Sequence, residues 1–335
     1  MQTYDCSCGN KLFFNNTHCS ACSRTVGWCD ACAAVTSISP SGECDAPGCS
    51  QTLQPCANRA AYQVCNCLVP ADGDQPLCLS CQTTTDVPDP NDPTQLTQWR
   101  VLEAGKRRLL YELAQVGVSR EQLTADPPLS FRFLADTPGK HIITGHADGV
   151  ITINLEEADP VVRAKGRQQF GEPHRTVIGH FRHEVGHFLW MRLVENDRPD
   201  ACIKLFGDHR DPPYGEAMDR YYAEGPPADW QARFISQYAS SHPWEDFAET
   251  MGFYLDMRAV LDTLEHQVTP LSVRRGADLD ELLAGYLKAG IALNEINRTM
   301  GLTDLVPEVV SPPVVEKLRF VHGLFPSEAV LLATG

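Results

Sequence analysis

The residues whose types and spacing could do chemistry lie in His183-Glu184-Val185-Gly186-His187 of this 335-residue chain. On a helix, residues four apart share one face, so His183 and His187 can each turn a ring nitrogen toward one metal ion. Glu184 lies beside that stripe. The H-E-x-x-H pattern carries a mechanism in which zinc lowers the pKa of its water to about 7 and the Glu acts as general base. His180 shares the stripe but no base is paired with it, so it ranks as a rival or an outer partner. A catalytic zinc takes three protein ligands and leaves a position open. The third is sought in His242-Pro-Trp-Glu-Asp-Phe-Ala-Glu-Thr250, where Glu245 and Glu249 are again four apart. Glu245 is the expected ligand, with Glu249 reaching a ligand histidine from behind. Asp246 is adjacent but rotated by about 100° around the helix. Acidic residues in a first turn also suit the helix dipole alone, which is the plain alternative.

The elements that must position these groups are legible. Pro173 suits a first helical position, and Val177, Ile178, Phe181, Val185, Phe188 and Leu189 recur at helical spacing. Gly186 is unfavourable inside a helix unless another backbone or a substrate approaches closely there. Pro243 opens the second helix.

Thirteen of the fourteen cysteines fall in the first 81 residues, mostly as C-x-C and C-x-x-C pairs. Such pairs are metal knuckles of a reducing compartment rather than a disulfide framework. Cys6, Cys8, Cys19 and Cys22 can close one tetrahedral zinc site. Cys29, Cys32, Cys44 and Cys49 form a looser second quartet. Cys65-x-Cys67, ten residues and Cys78-x-x-Cys81 repeat the spacing of the first to the residue, so by spacing alone Cys67 would join Cys65, Cys78 and Cys81 in an internal duplication. Cys202 stands alone and reads as a small buried apolar residue.

Together, Gly179-His-Phe-Arg-His-Glu-Val-Gly-His187, Trp244-Glu-Asp-Phe-Ala-Glu249 and the cysteine-rich N-terminus resemble the zinc-binding metallopeptidases of bacteria that carry a zinc-ribbon domain, gluzincin-type zincins. The resemblance spans Cys6 to about Asp256. It implies that Cys56 leads the last quartet, with Cys67 as the alternative, and that the middle quartet is not required. It also implies a small sheet before the zinc helix, with Val150–Asn154 as the edge strand beside the cleft. The peptidase domain of anthrax lethal factor is a more distant resemblance, and its assisting tyrosine, seven residues before the ligand Glu, corresponds to Tyr238, a candidate hydrogen-bond donor to a developing oxyanion.

The expected fold is α+β: a module of four-cysteine zinc ribbons over 1–82, a Pro- and Asp-rich linker over 83–94, and a zincin-like domain over 95–335, with a small mixed sheet, the zinc helix and a mostly helical C-terminal part. Leu96 to Val116 suits an amphipathic helix. Strands are expected at Phe131–Leu134, Ile142–Ile143 and Val150–Asn154, a loop-rich stretch at 198–227, and helices at 228–238, 279–300 and 313–322. A hydrophobic content of 43% suffices for a core. The net charge of -15 disfavours nucleic acid as a partner, since phosphate binding rests on Lys and Arg. MQTYDCSCGN lacks a signal-peptide pattern, and no apolar run approaches a membrane span, so a cytoplasmic protein with no membrane partner is expected. The leading function is a zinc-dependent hydrolase of peptide, isopeptide or other amide bonds, with one catalytic and two to three structural zinc ions, a peptide or protein substrate, and room for a protein partner on the ribbons. The alternative is a non-catalytic, zinc-stabilised interaction module with a vestigial H-E-x-x-H site.

Overall fold

The computed structural model describes residues 1–170, 176–268 and 276–326, without the side chains of 166–170. Pro173 therefore lies outside the described residues. The fold is α+β, with short strands and many helices, and the chain divides into two compact units.

The first unit contains residues 1–110, 130–144 and 152–165. Its strands are two to five residues long, too short to bury much surface alone. Tyr4–Asp5 pairs antiparallel with Lys11–Leu12. Val26–Cys29 lies between Ala34–Ser37, antiparallel, and Cys67–Pro70, parallel, and Leu53–Pro55 completes that sheet. A core of Cys29, Cys44, Leu53 and Leu68 shows how thin the packing is. Segments of this size need metal to hold them. Within 83–94 the chain forms a strand, Thr84–Asp86, which pairs parallel with Ser130–Leu134. The helix Pro93–Gln115 follows and buries Trp99, Leu102 and Leu109. Its Arg107 donates to the Val64 carbonyl at 2.7 Å, and Ser80 donates to its Glu103 at 2.8 Å. Glu103 in turn pairs with the fully buried Lys106 at 2.9 Å, whose ammonium faces the rings of Phe131 and Phe133. The helix thus holds the Cys65–Cys81 segment near both of its ends.

The second unit contains residues 111–129 and 145–151 and the chain from 166 onward. Its two central helices are Val177–Leu193 and Pro243–Gln267. Phe181, Val185, Phe188 and Leu189 of the first, and Phe247, Ala248, Met251, Tyr254 and Leu255 of the second, are buried at the helical period expected of packed faces. Thr176 caps the first helix by accepting from the Gly179 amide at 3.0 Å. His242 caps the second by accepting from the Trp244 amide, with Pro243 in the first turn. The helix Pro312–His322 is pinned to the second by Lys317, whose ammonium lies 2.5 Å from the Asp246 carboxylate.

Several local expectations are corrected. Ile142–Ile143 is not a strand. Asn154 donates its side-chain amide to the Ile142 carbonyl and its backbone N–H to Thr144 Oγ1, so side-chain and backbone groups of Asn154 take the bonds a ladder would use. The short strand is Gly145–Ala147 instead, and it stands at the end of its sheet. Val150–Asn154 is not an edge, having strands on both sides. The 198–227 stretch holds two helices, Pro199–Phe206 and Tyr214–Glu224, each opened by a proline that presets φ. The helix expected over 228–238 is a single turn, Trp230–Arg233, followed by extended Phe234. Ser236 and Ser240 bond to nearby backbone there, which competes with helix. Among the described residues no helix is long and apolar enough to cross a membrane.

Candidate metal centre and active site

Close approach of the two central helices builds the site. A Cβ on Gly186 would lie 2.9 Å from the Ala248 Cα and 3.0 Å from its carbonyl oxygen, so only glycine lets the backbones cross at this distance. Gly252 meets the His183 backbone one turn further along. This crossing sets the His183/His187 face against the Glu245/Glu249 face.

His183 Nε2 lies 3.0 Å and His187 Nε2 3.5 Å from the same atom, Glu245 Oε2. That oxygen is buried and receives no well-directed hydrogen bond from any described residue. An orphaned buried carboxylate oxygen between two imidazole nitrogens is the donor set of a divalent metal, and two nitrogens with one oxygen suit zinc. Burial opposes ionisation of Glu245, yet the contacts with His183 and His187 hold its carboxyl below the usual range. Glu184 is buried beside the pair, and burial pushes its carboxyl up. Asp246 faces Lys317 rather than the histidines, and burial raises it to about 7 against the pull of that ammonium. His180 is not among the converging ligand atoms.

Behind these candidate ligands, Glu249 Oε1 lies 2.6 Å from His183 Nδ1, and Ser236 Oγ donates to Glu249 Oε2 at 2.6 Å. A carboxylate at Nδ1 fixes the ring's tautomer and leaves Nε2 as the acceptor for metal. The ring of His187 packs 4.2 Å from that of Trp244 and stacks at 6.2 Å over His146, whose Nε2 accepts the Gly149 amide. Burial and the neighbouring His187 push His146 down to about 4, so it stays neutral.

Tyr238 stands 5.8 Å, ring to ring, from His183. Tyr214 donates to Glu245 Oε1 at 2.9 Å. Burial first, and then the Glu245 charge, raise both phenols, which therefore remain donors. Sequence reasoning did not find Ser236 or the contact of Tyr214. Neither carries a spacing signal relative to His183 or Glu245.

The cysteines gather in three groups, Cys6/Cys8/Cys19/Cys22, Cys29/Cys32/Cys44/Cys49 and Cys56/Cys65/Cys78/Cys81, the sulfurs of each within 4.8 Å of one another. Cys67 is outside the third. It starts the strand Cys67–Pro70, while the Cys78 amide points at Cys56 Sγ at 3.4 Å. Cys202 is buried and its thiol is pushed up to about 11 by that burial, so it is inert.

Comparison with known proteins shows the family. The family described as "Putative zinc-binding metallo-peptidase" matches residues 95–324, and a zinc-ribbon domain matches residues 3–92. An uncharacterized protein of Mycobacterium bovis and one of Mycobacterium tuberculosis are each 37% identical to the chain, covering 96% of it and 94% of their own length. No solved structure matches, and the resemblance to anthrax lethal factor is not shown. With most of its length matched by these domains and relatives, this zinc-binding chain belongs to the zinc-binding metallo-peptidase family and carries that family's peptidase domain behind an N-terminal zinc ribbon.

Proposed function

We propose that the chain hydrolyses peptide or isopeptide bonds at a zincin-type centre held by His183, His187 and Glu245. One observation carries this reading. Each cysteine group offers four ligands and can close a tetrahedron, whereas the His183/His187/Glu245 group offers three among the described residues. Three protein ligands leave the position that substrate and water need.

Bound zinc supplies Lewis acidity, polarising a carbonyl and lowering the pKa of its water to about 7. Glu184 accepts the proton of the attacking water and delivers it to the leaving nitrogen. Burial favours that second task, because a raised carboxyl holds a proton more readily than an exposed one. Glu249 keeps His183 oriented. Tyr238, whose ring lies beside that of His183, is the donor we assign to the developing oxyanion. An extended peptide would add to Gly145–Ala147, which among the described residues is the end strand of its sheet and packs on the His183 helix. The cysteines are unpaired, which supports a reducing compartment such as the cytoplasm. We assign four zinc ions, one of them catalytic.

The test is cleavage of a diverse peptide library by the zinc-loaded protein, read by mass spectrometry beside Glu184→Gln. We expect cuts in the wild type and a loss of roughly 10²–10⁴-fold in the variant with its zinc retained. Equal cutting by both proteins would remove Glu184 from the mechanism. No cutting of peptides or of isopeptide-linked substrates, with the zinc present, would favour a non-catalytic interaction module.

A further inference from the structure

We propose that Tyr214 is a positioning residue for the metal centre: its hydroxyl holds the outer oxygen of Glu245, so that only Oε2 is presented to the metal. The inference rests on the reading of Glu245 as a ligand and deepens it.

The two carboxylate oxygens of Glu245 have different surroundings. Oε2 lies between the Nε2 atoms of His183 and His187, at 3.0 and 3.5 Å. Oε1 accepts from Tyr214 at 2.9 Å. A carboxylate free to rotate about its last bond could bind zinc through one oxygen or both. A donor fixed on Oε1 selects the one-oxygen mode and preserves the open position that hydrolysis uses.

Tyr214 is held for this task from several sides. Its ring packs edge-on against His242 at 5.2 Å and Trp244 at 5.9 Å, the residues that start the Glu245 helix. The residue is 42% exposed although its hydroxyl points inward, so it stands at the mouth of the site rather than in the core. It is also the first residue of the helix Tyr214–Glu224, whose Tyr221 packs on Tyr238 at 6.0 Å. That helix therefore reaches Glu245 through Tyr214 and the His183 ring through Tyr221 and Tyr238.

The experiment measures zinc affinity by competition with a chromophoric chelator on the full-length protein. The variants are Tyr214→Phe, Tyr238→Phe and Glu245→Ala, and the stability of each zinc-depleted protein is followed alongside. Removing an outer partner of a metal ligand lowers affinity by roughly 10–100-fold. We expect a loss of that size for the zinc of the His183/His187/Glu245 group in Tyr214→Phe, no comparable loss in Tyr238→Phe, and unchanged retention of the cysteine-bound zinc. The melting temperature of zinc-depleted Tyr214→Phe should match that of the zinc-depleted wild type. Zinc X-ray absorption should report a higher mean oxygen coordination in Tyr214→Phe, because Glu245 is then free to bind through both oxygens. Affinity within about twofold of wild type in Tyr214→Phe, with zinc lost in Glu245→Ala, would overturn the role of Tyr214 alone. Unchanged affinity in Glu245→Ala would instead remove the ligand assignment beneath it. A drop in melting temperature of the zinc-depleted Tyr214→Phe protein that accounts for the weaker binding would make the tyrosine a packing residue and also overturn the proposal.

Discussion

At the scale of single residues, Cys56 and Cys67 test how far ligand identity can be read from spacing. Cys67 reproduces the C-x-C of the first quartet to the residue, and the structure leaves it out. Cys56 sits nine residues before Cys65, at the start of the short helix Ala57–Tyr62, and its sulfur joins the group because the chain turns back there. Cys56→Ser is expected to lose one zinc and Cys67→Ser to keep all of them, as counted by native mass spectrometry. The opposite result would assign the site to the spacing repeat. Glu249 and Ser236 illustrate the same limit from another side. Glu249 could be proposed because it shares a helical face with Glu245. Ser236 lies in an irregular segment with no period to place it, and only the folded chain brings it within 2.6 Å of Glu249.

At the scale of elements, the crossing of Val177–Leu193 and Pro243–Gln267 is what turns four side chains into one site. The sequence marked Gly186 as a place where something comes close, and the structure identifies the neighbour as the Ala248 backbone. In Gly186→Ala the new methyl has no room, since the atoms it meets are main chain and cannot swing aside. Overpacking of this kind costs about 1–3 kcal/mol. We expect a loss of that order in urea unfolding, with weaker binding of the zinc held between the two helices because their separation sets the His183 to Glu245 distance. Full stability with full zinc affinity would show that the crossing has slack. The helices Pro199–Phe206 and Tyr214–Glu224 were hidden in the sequence by prolines and glycines that read as loop. They are in fact short helices with abrupt ends, at Gly207 and Gly225, both at positive φ.

At the scale of the whole molecule, stability depends on a partly buried imidazole outside the His183/His187/Glu245 group. His322 closes the helix Pro312–His322, and its Nδ1 lies 2.9 Å from the hydroxyl of the buried Tyr254. Burial, and then the Arg258 charge, push the imidazole below its ordinary value, against the pull of Asp278. A histidine depressed in the folded state binds its proton more readily when unfolded. Its contribution is therefore complete above the unfolded value, near 6.5, and is lost as pH falls below that. The ring is only partly buried, so solvent screening keeps the effect below about 1 kcal/mol. Urea midpoints between about pH 7.5 and 5.5 should fall more in the wild type than in His322→Gln, both zinc-loaded to the same stoichiometry. Parallel lines would remove His322 from the acid response.

The sequence alone was enough for those features whose signal is local. The H-E-x-x-H helix, the Glu245/Glu249 face and the pairing of cysteines into knuckles all follow from periods of a few residues, and so did the α+β class. The family resemblance rests on the same motifs. What needed the tertiary structure is whatever depends on segments distant in the chain coming together: Tyr214 on Glu245 across 31 positions, Lys317 on Asp246 across 71, and Gly145–Ala147 rather than Val150–Asn154 at the sheet edge. No period records such meetings, because they are settled by how helices cross and how backbone groups find partners once apolar faces are buried.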